Sequence, residues 1–217
     1  MKLGPTTSGT FAIAPTPFHP DGRIDDASID RMTDFYLEVG CAGITVLGIM
    51  GEAPKLEDNP SCEMLKHEDW PGLDKITALR GFQKDGSMRP ISILTGNGAL
   101  FLDFEMERGA DGAMTGYAFP DMLVDLVRLA GEGRREAAHD LFDAHLPLIR
   151  YEQQQGVGLA VRKYVMMRRG IIASDAQRKP GSSLSAPGKA EVDYLLSRLA
   201  RVDKRAELRR PEPALAS

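Results

Sequence analysis

The chain has 217 residues, 42% of them hydrophobic, which suits one domain of fair size or a domain with a helical appendage. Its 27 Lys and Arg against 31 Asp and Glu leave a net charge of −4, which argues against nucleic acid as a main partner because phosphate binding calls for a basic face. No apolar run approaches the roughly 18–20 residues of a membrane span, Met1 to Gly9 lacks the apolar stretch of a secretion signal, and Cys41 and Cys62 make no disulfide framework, so a cytoplasmic location is expected.

Gly9 to Phe18 reads as a short strand ended by Pro15 and Pro17, with a turn at Pro20-Asp21-Gly22. Acidic Asp25 and Asp26 then open a helix carrying Ile29, Met32, Phe35 and Leu37, which closes at Gly40. Gly43 to Leu47 is apolar and β-branched on consecutive positions, as in a strand buried on both faces of a parallel sheet. Gly51 to Asp69 breaks the pattern: helix signals open at Glu52, Pro60 cuts them short, and Cys62 to Lys66 is strand-like. Gly72 to Arg80 is an amphipathic helix, Ile91 to Thr95 a strand, Gly96 to Gly98 its loop, Ala99 to Arg108 a helix and Gly112 to Thr115 a strand.

Two joints share a Gly-x-x-Gly-apolar frame, Gly40 to Ile44 and Gly109 to Ala113. In each, a glycine stops a helix and a strand starts three residues later, as parallel α/β folds require. After Pro120 the alternation stops. Helices are predicted over Met122–Ala130, Arg134 to about Gln154, Val157–Arg169 and Lys189–Val202, with a polar loop over Ser174–Gly188. The organisation expected is a partial barrel over 1–118, a C-terminal helical region over 119–202 and a disordered tail over 203–217.

Parallel α/β folds bind ligands at the carboxyl ends of their strands. Candidate spots there are Ile49 to Glu52, Lys66 to Asp69, Gly96 to Gly98 and Gly116-Tyr117. Lys66 ends a short apolar run, and a partly desolvated amine is suited to attack a carbonyl; the competing reading is a surface lysine in a charged loop. Gly96 and Gly98 offer backbone N–H groups to a carboxylate or phosphate, unless they only serve a tight turn. His67-Glu68-Asp69 is a poor metal set, since adjacent side chains diverge, and no metal is expected. Basic clusters at Arg134-Arg135, Arg162-Lys163 and Arg168-Arg169 read as solvated helix faces.

Several of these segments together resemble one family. Ala14-Pro15-Thr16-Pro17-Phe18, Asp21-Gly22-x-Ile24-Asp25 and Val46 to Glu52 are similar to the first two barrel strands of the dihydrodipicolinate synthase/N-acetylneuraminate lyase superfamily. Leu65 to Glu68 followed by Asp74-Lys75-Ile76 resembles its sixth strand, Leu94 to Asn97 its seventh, Gly109 to Thr115 its eighth, and Arg178-Lys179-Pro180 its C-terminal Arg-x-Pro. The fold implied is an incomplete TIM-barrel-type array of parallel strand–helix units, equivalent to strands one, two, six, seven and eight, plus C-terminal helices. At about 30 residues per unit, roughly 90–100 residues of the family pattern are absent between Glu52 and Lys66.

The resemblance implies a Schiff-base (class I) aldolase or lyase acting on pyruvate or a related 2-oxo acid, with no cofactor and a homo-oligomeric assembly. It assigns the imine to Lys66, the carboxylate-binding backbone to Ile49 and Met50, and a further substrate contact to Gly96; the Met114 carbonyl is expected to face the lysine. Ile49 and Met50 stand where lysine-biosynthetic members carry hydroxyl residues, which points to a sugar-acid or other 2-oxo-acid branch. The absent segment would carry the family's proton-transferring tyrosine. The alternative is therefore a catalytically inactive, shortened member that retains binding only.

Overall fold

The computed structural model describes residues 3–45, 64–178 and 181–208. Ile49, Met50, Pro60, Cys62 and the Lys179-Pro180 part of the Arg-x-Pro motif lie outside the described residues.

Five strands form one parallel sheet in the order β2-β1-β5-β4-β3, where β1 is Gly9–Ile13, β2 Gly43–Thr45, β3 Met64–His67, β4 Ser92–Thr95 and β5 Gly112–Thr115. The last strand pairs with the first, and every other neighbour is a neighbour in sequence. This is the wall of a TIM-type barrel. Among the described residues its two ends are β2 and β3, the strands that flank the expected gap. The order matches barrel strands two, one, eight, seven and six.

The helices are α1 (Asp26–Glu38), α2 (Gly72–Lys84), α3 (Leu102–Glu107), α4 (Pro120–Gly131), α5 (Arg135–Glu152), α6 (Gly158–Arg168) and α7 (Ala186–Leu199). None among the described residues is long and apolar enough to cross a membrane.

The repeated Gly-x-x-Gly frame has a physical reason at each glycine. Gly40 and Gly109 end α1 and α3 in the left-handed region, at φ 82° and 97°, where a side chain is disfavoured. The second glycine of each frame makes room. A Cβ on Gly43 would lie 2.6 Å from the Phe11 ring, and a Cβ on Gly112 would overlap the Gly9 carbonyl oxygen.

The chain divides into two compact units, residues 1–14 with 36–143 and residues 15–35 with 144–217. The boundary expected at 118/119 falls inside the first of these, because α4 packs on β1 and β5 and so stays with the sheet. In that unit Arg80 ties α2 to the base of the sheet. Its Nε donates to the Gly109 carbonyl at 2.7 Å, its Nη1 to the Ile91 carbonyl at 3.1 Å, and its Nη2 pairs with Asp111.

The second unit gathers motifs far apart in sequence. Buried Lys163 donates its ammonium to the carbonyls of Thr16 and Ala176 and lies 4.8 Å from the Phe18 ring centroid. Arg178 stacks on the same ring at 4.8 Å and donates Nε to the Gly22 carbonyl at 3.0 Å. The Arg162-Lys163 pair is thus no solvated face: Arg162 bonds buried Glu152 at 3.0 Å and Lys163 is internal.

Several boundaries differ from those predicted, three of them with a clear local cause. Asn97, Gly98 and Ala99 all take positive φ (47°, 62° and 67°), so a 3₁₀ turn over Asn97–Ala99 precedes α3, which begins only at Leu102. α7 begins at Ala186 because the Ser185 hydroxyl caps it, accepting from Gly188 N at 3.2 Å. The chain is also structured from Asp203 to Leu208, where a disordered tail was expected to open; residues 209–217 lie outside the described residues. Asp203 bonds the buried His145 Nε2 at 2.9 Å and caps a 3₁₀ turn over Lys204–Ala206.

On α3, Glu105 is 3% exposed, its Oε2 has no hydrogen-bond partner among the described residues, and burial pushes its carboxyl up to about 7. A carboxyl raised on folding binds its proton more tightly in the native state. Stability is therefore expected to fall as pH rises from the ordinary glutamate range through about 7. Urea midpoints at pH 5 and pH 8 should differ in the parent, and Glu105→Gln should shrink that difference.

Candidate active site

Parallel register fixes which side chains share a face. Lys66 stands opposite Leu94, and Leu94 opposite Gly112. Met114, two residues beyond Gly112, pairs with Phe11. Lys66, Leu94, Met114 and Phe11 therefore project from one face, together with Gly96 and Glu68 at the carboxyl ends of their strands. The opposite face carries His67, Thr95, Ala113, Thr115, Thr10 and Ala12, all buried. The face bearing Lys66 is the more open one: Lys66, Met114, Ile13 and Thr45 are each half-buried.

The Lys66 side chain is 25% exposed, and its Nζ lies 2.8 Å from Glu68 Oε1. The pair follows from strand geometry, since residues i and i+2 lie on one face. Glu68 Oε1 also accepts from the Asn97 backbone N–H at 3.4 Å. The Glu68 side chain lies directly across Gly96, where a Cβ would overlap its Cγ and Oε1.

His67 faces the other way. Its Nε2–H donates to the Gly72 carbonyl at 3.1 Å, and burial lowers its pKa, so the neutral ring is favoured. Asp69 turns outward to Lys75 and accepts from Trp70 N at 3.0 Å. His67, Glu68 and Asp69 thus have three separate partners, and among the described residues no three His, Cys, Asp or Glu side chains stand together as metal ligands.

The structure brings Lys66, Gly96 and Met114 to one face of three adjacent strands. Gly96 does not offer its N–H to a ligand, as its sequence suggested: that amide donates to the His67 carbonyl at 2.9 Å. Gly96 instead supplies the space that Glu68 occupies. Glu68 is the residue that sequence reasoning missed as a functional group. Its i+2 spacing from Lys66 on a strand was the available signal.

The geometry therefore presents a half-buried amine at the carboxyl end of a strand, hydrogen-bonded to a carboxylate. Such an amine can form an imine with a carbonyl compound, and the carboxylate can carry protons to and from it.

Comparison with known proteins gives the same direction. The model of the Dihydrodipicolinate synthetase family matches residues 6–70. The L-2-keto-3-deoxyarabonate dehydratase of Azospirillum brasilense is 36% identical over 104 residues, covering 48% of this chain and 33% of that enzyme. The 4-hydroxy-tetrahydrodipicolinate synthase of Alkalilimnicola ehrlichii is 33% identical over 85 residues, covering 39% of this chain and 29% of the synthase. The matches thus span about a third of these two curated relatives. Among solved structures, the dihydrodipicolinate synthase of Rhodopseudomonas palustris superposes with a TM-score of 0.86 at 50% identity, covering 91% of this chain and 99% of that one. Identity at that level, on the same parallel strand–helix fold, settles the affiliation: the chain belongs to the dihydrodipicolinate synthetase family.

Proposed function

We infer that this chain is a Schiff-base lyase of 2-oxo acids, with Lys66 as nucleophile and Glu68 as its acid–base partner. The observation that carries this reading is the Lys66–Glu68 contact of 2.8 Å on the open face of the sheet. The Lys66 amine adds to C2 of the 2-oxo acid, and loss of the C2 oxygen as water leaves a protonated imine. Glu68 then takes a proton from C3, and the C–H electron pair moves into the imine to give an enamine. The enamine either attacks an aldehyde carbon or expels a hydroxyl from C4, with Glu68 returning the proton. The imine is the electron sink, so the chemistry calls for no cofactor or metal.

Two features favour a sugar-derived 2-oxo acid. Ile49 and Met50 replace the hydroxyl residues of lysine-biosynthetic members, and a similar chain is a dehydratase of a 2-keto-3-deoxy sugar acid. On this reading the Ile49 and Met50 backbone holds the carboxylate, and Met114 and Gly96 border the reacting carbons. Pyruvate serves as the minimal substrate. A binding-only function is favoured by a single observation, that among the described residues β2 and β3 have no outer neighbour.

Proton exchange tests the reading. Incubated with pyruvate in D₂O, the protein is expected to exchange the C3 protons faster than buffer, followed by NMR. Exchange at the buffer rate would support the binding-only function.

A further inference from the structure

The turn after β4 is built in a way that its own stability does not require. Gly96 is bare, and Asn97, Gly98 and Ala99 follow in the left-handed region at φ 47°, 62° and 67°. Two of the three carry a side chain, and left-handed backbone is disfavoured for alanine above all. Ala99 is fully buried, so its conformation is held by its surroundings. The turn closes through Ala99 N to the Gly96 carbonyl at 2.9 Å and Leu100 N to the Asn97 carbonyl at 3.2 Å. It is pinned to β3 through Gly96 N and the His67 carbonyl at 2.9 Å, and His67 is itself held by its ring at Gly72.

One consequence of this conformation lies at Glu68. The turn directs the Asn97 N–H at Glu68 Oε1, the oxygen that also meets the Lys66 ammonium. Gly96 leaves free the volume through which the Glu68 side chain crosses to reach it. A glutamate on an exposed strand end has several rotamers, and here one is selected from both sides.

We propose that Gly96 and the left-handed turn Asn97–Ala99 are positioning residues that hold the Glu68 carboxylate on Lys66. This rests on the Lys66–Glu68 reading of the site. The turn touches no reacting atom. It acts by leaving room for this Glu68 rotamer and by supplying a backbone donor to the oxygen that meets Lys66.

The test reads Lys66 itself, with no substrate needed. Reductive methylation by formaldehyde and cyanoborohydride at a fixed pH of 8, quantified on the Lys66 peptide by mass spectrometry, reports how free the amine is. Gly96→Ala is expected to raise labelling of Lys66 severalfold, Glu68→Gln to raise it equally, and the double variant to raise it no further. Labelling in Gly96→Ala that stays at the parent level, or effects of the two changes that multiply, would overturn the proposal. Should Gly96→Ala not fold, Ala99→Gly decides. It relaxes the turn without adding an atom near Glu68, and it should raise labelling in the parent but not in Glu68→Gln; no change in the parent overturns the proposal.

Where the parent exchanges pyruvate protons, Gly96→Ala should slow exchange about tenfold with half-saturation unchanged. The two readings fail separately. Absence of exchange in the parent removes the lyase function, whereas the methylation pattern judges the positioning alone.

Discussion

Lys66→Met is expected to abolish exchange of the pyruvate C3 protons, a loss of at least about three orders of magnitude, while the fold is retained. Lys66 is only half-buried, and its ammonium pairs with Glu68. Removing it costs no core packing. The methionine keeps the length of the side chain and loses only the nucleophile. Circular dichroism and the urea midpoint should stay close to the parent, because an ion pair of this exposure contributes at most about 1 kcal/mol. A variant that keeps more than a few per cent of the parental exchange would place the reacting amine elsewhere. Glu68→Gln should show the intermediate result, with the nucleophile present and proton transfer slowed by on the order of a hundredfold.

The largest stability effect is expected at Gly112. A Cβ there would overlap the Gly9 backbone carbonyl, and β5 pairs with β1 through that register. Backbone cannot rotate out of the way as a side chain would. Gly112→Ala should therefore cost about 3 kcal/mol, the upper part of the range for overpacking, or prevent folding. Gly133→Ala is the informative contrast. Gly133 has positive φ (70°) but open space around its Cβ position, so only the local conformational cost remains, about 1 kcal/mol. Denaturant unfolding of the two variants beside the parent separates close approach from backbone conformation. Equal costs at the two positions would show that φ alone explains the repeated glycine frame.

That frame also shows how much of the fold could be read from sequence. Gly40 and Gly109 announce the ends of helices, and the β-branched run from Gly43 announces a strand, though not its burial: Gly43, Ile44 and Thr45 are only half-buried, at one end of the described sheet, where a strand buried on both faces was expected. Parallel strand–helix units follow from local signals of this kind. The role of Gly43 and Gly112 does not, because it depends on Phe11 and Gly9 across the sheet. Positive φ at Asn97 and Ala99 was hidden for a similar reason. Nothing in an alanine signals a left-handed conformation that only its buried surroundings hold.

The candidate site divides along the same line. Lys66 was legible from its place at the end of a short apolar run and from the family pattern around it. Glu68 was visible as a residue but not as a partner, because that assignment needs the strand to extend through His67 so that positions 66 and 68 share a face. Met114 reaches the same face only through two steps of register, from β3 to β4 and from β4 to β5. In the other unit, Phe18, Gly22 and Arg178 belong to separate motifs in sequence and meet around one ring in space. Lys163, read as part of a surface cluster, is buried, and two carbonyls replace its water. Side-chain type and spacing cannot distinguish a solvated lysine from an internal one. Burial also pushes its pKa down to about 8.

The central claim is that Lys66 forms an imine with a 2-oxo acid. Its most direct test is reduction by borohydride in the presence of pyruvate, followed by peptide mapping of the whole folded chain. The account predicts one reduced pyruvyl adduct, located on Lys66 and absent when pyruvate is omitted. A soluble, folded protein that yields no adduct, or yields it on another lysine, would contradict it.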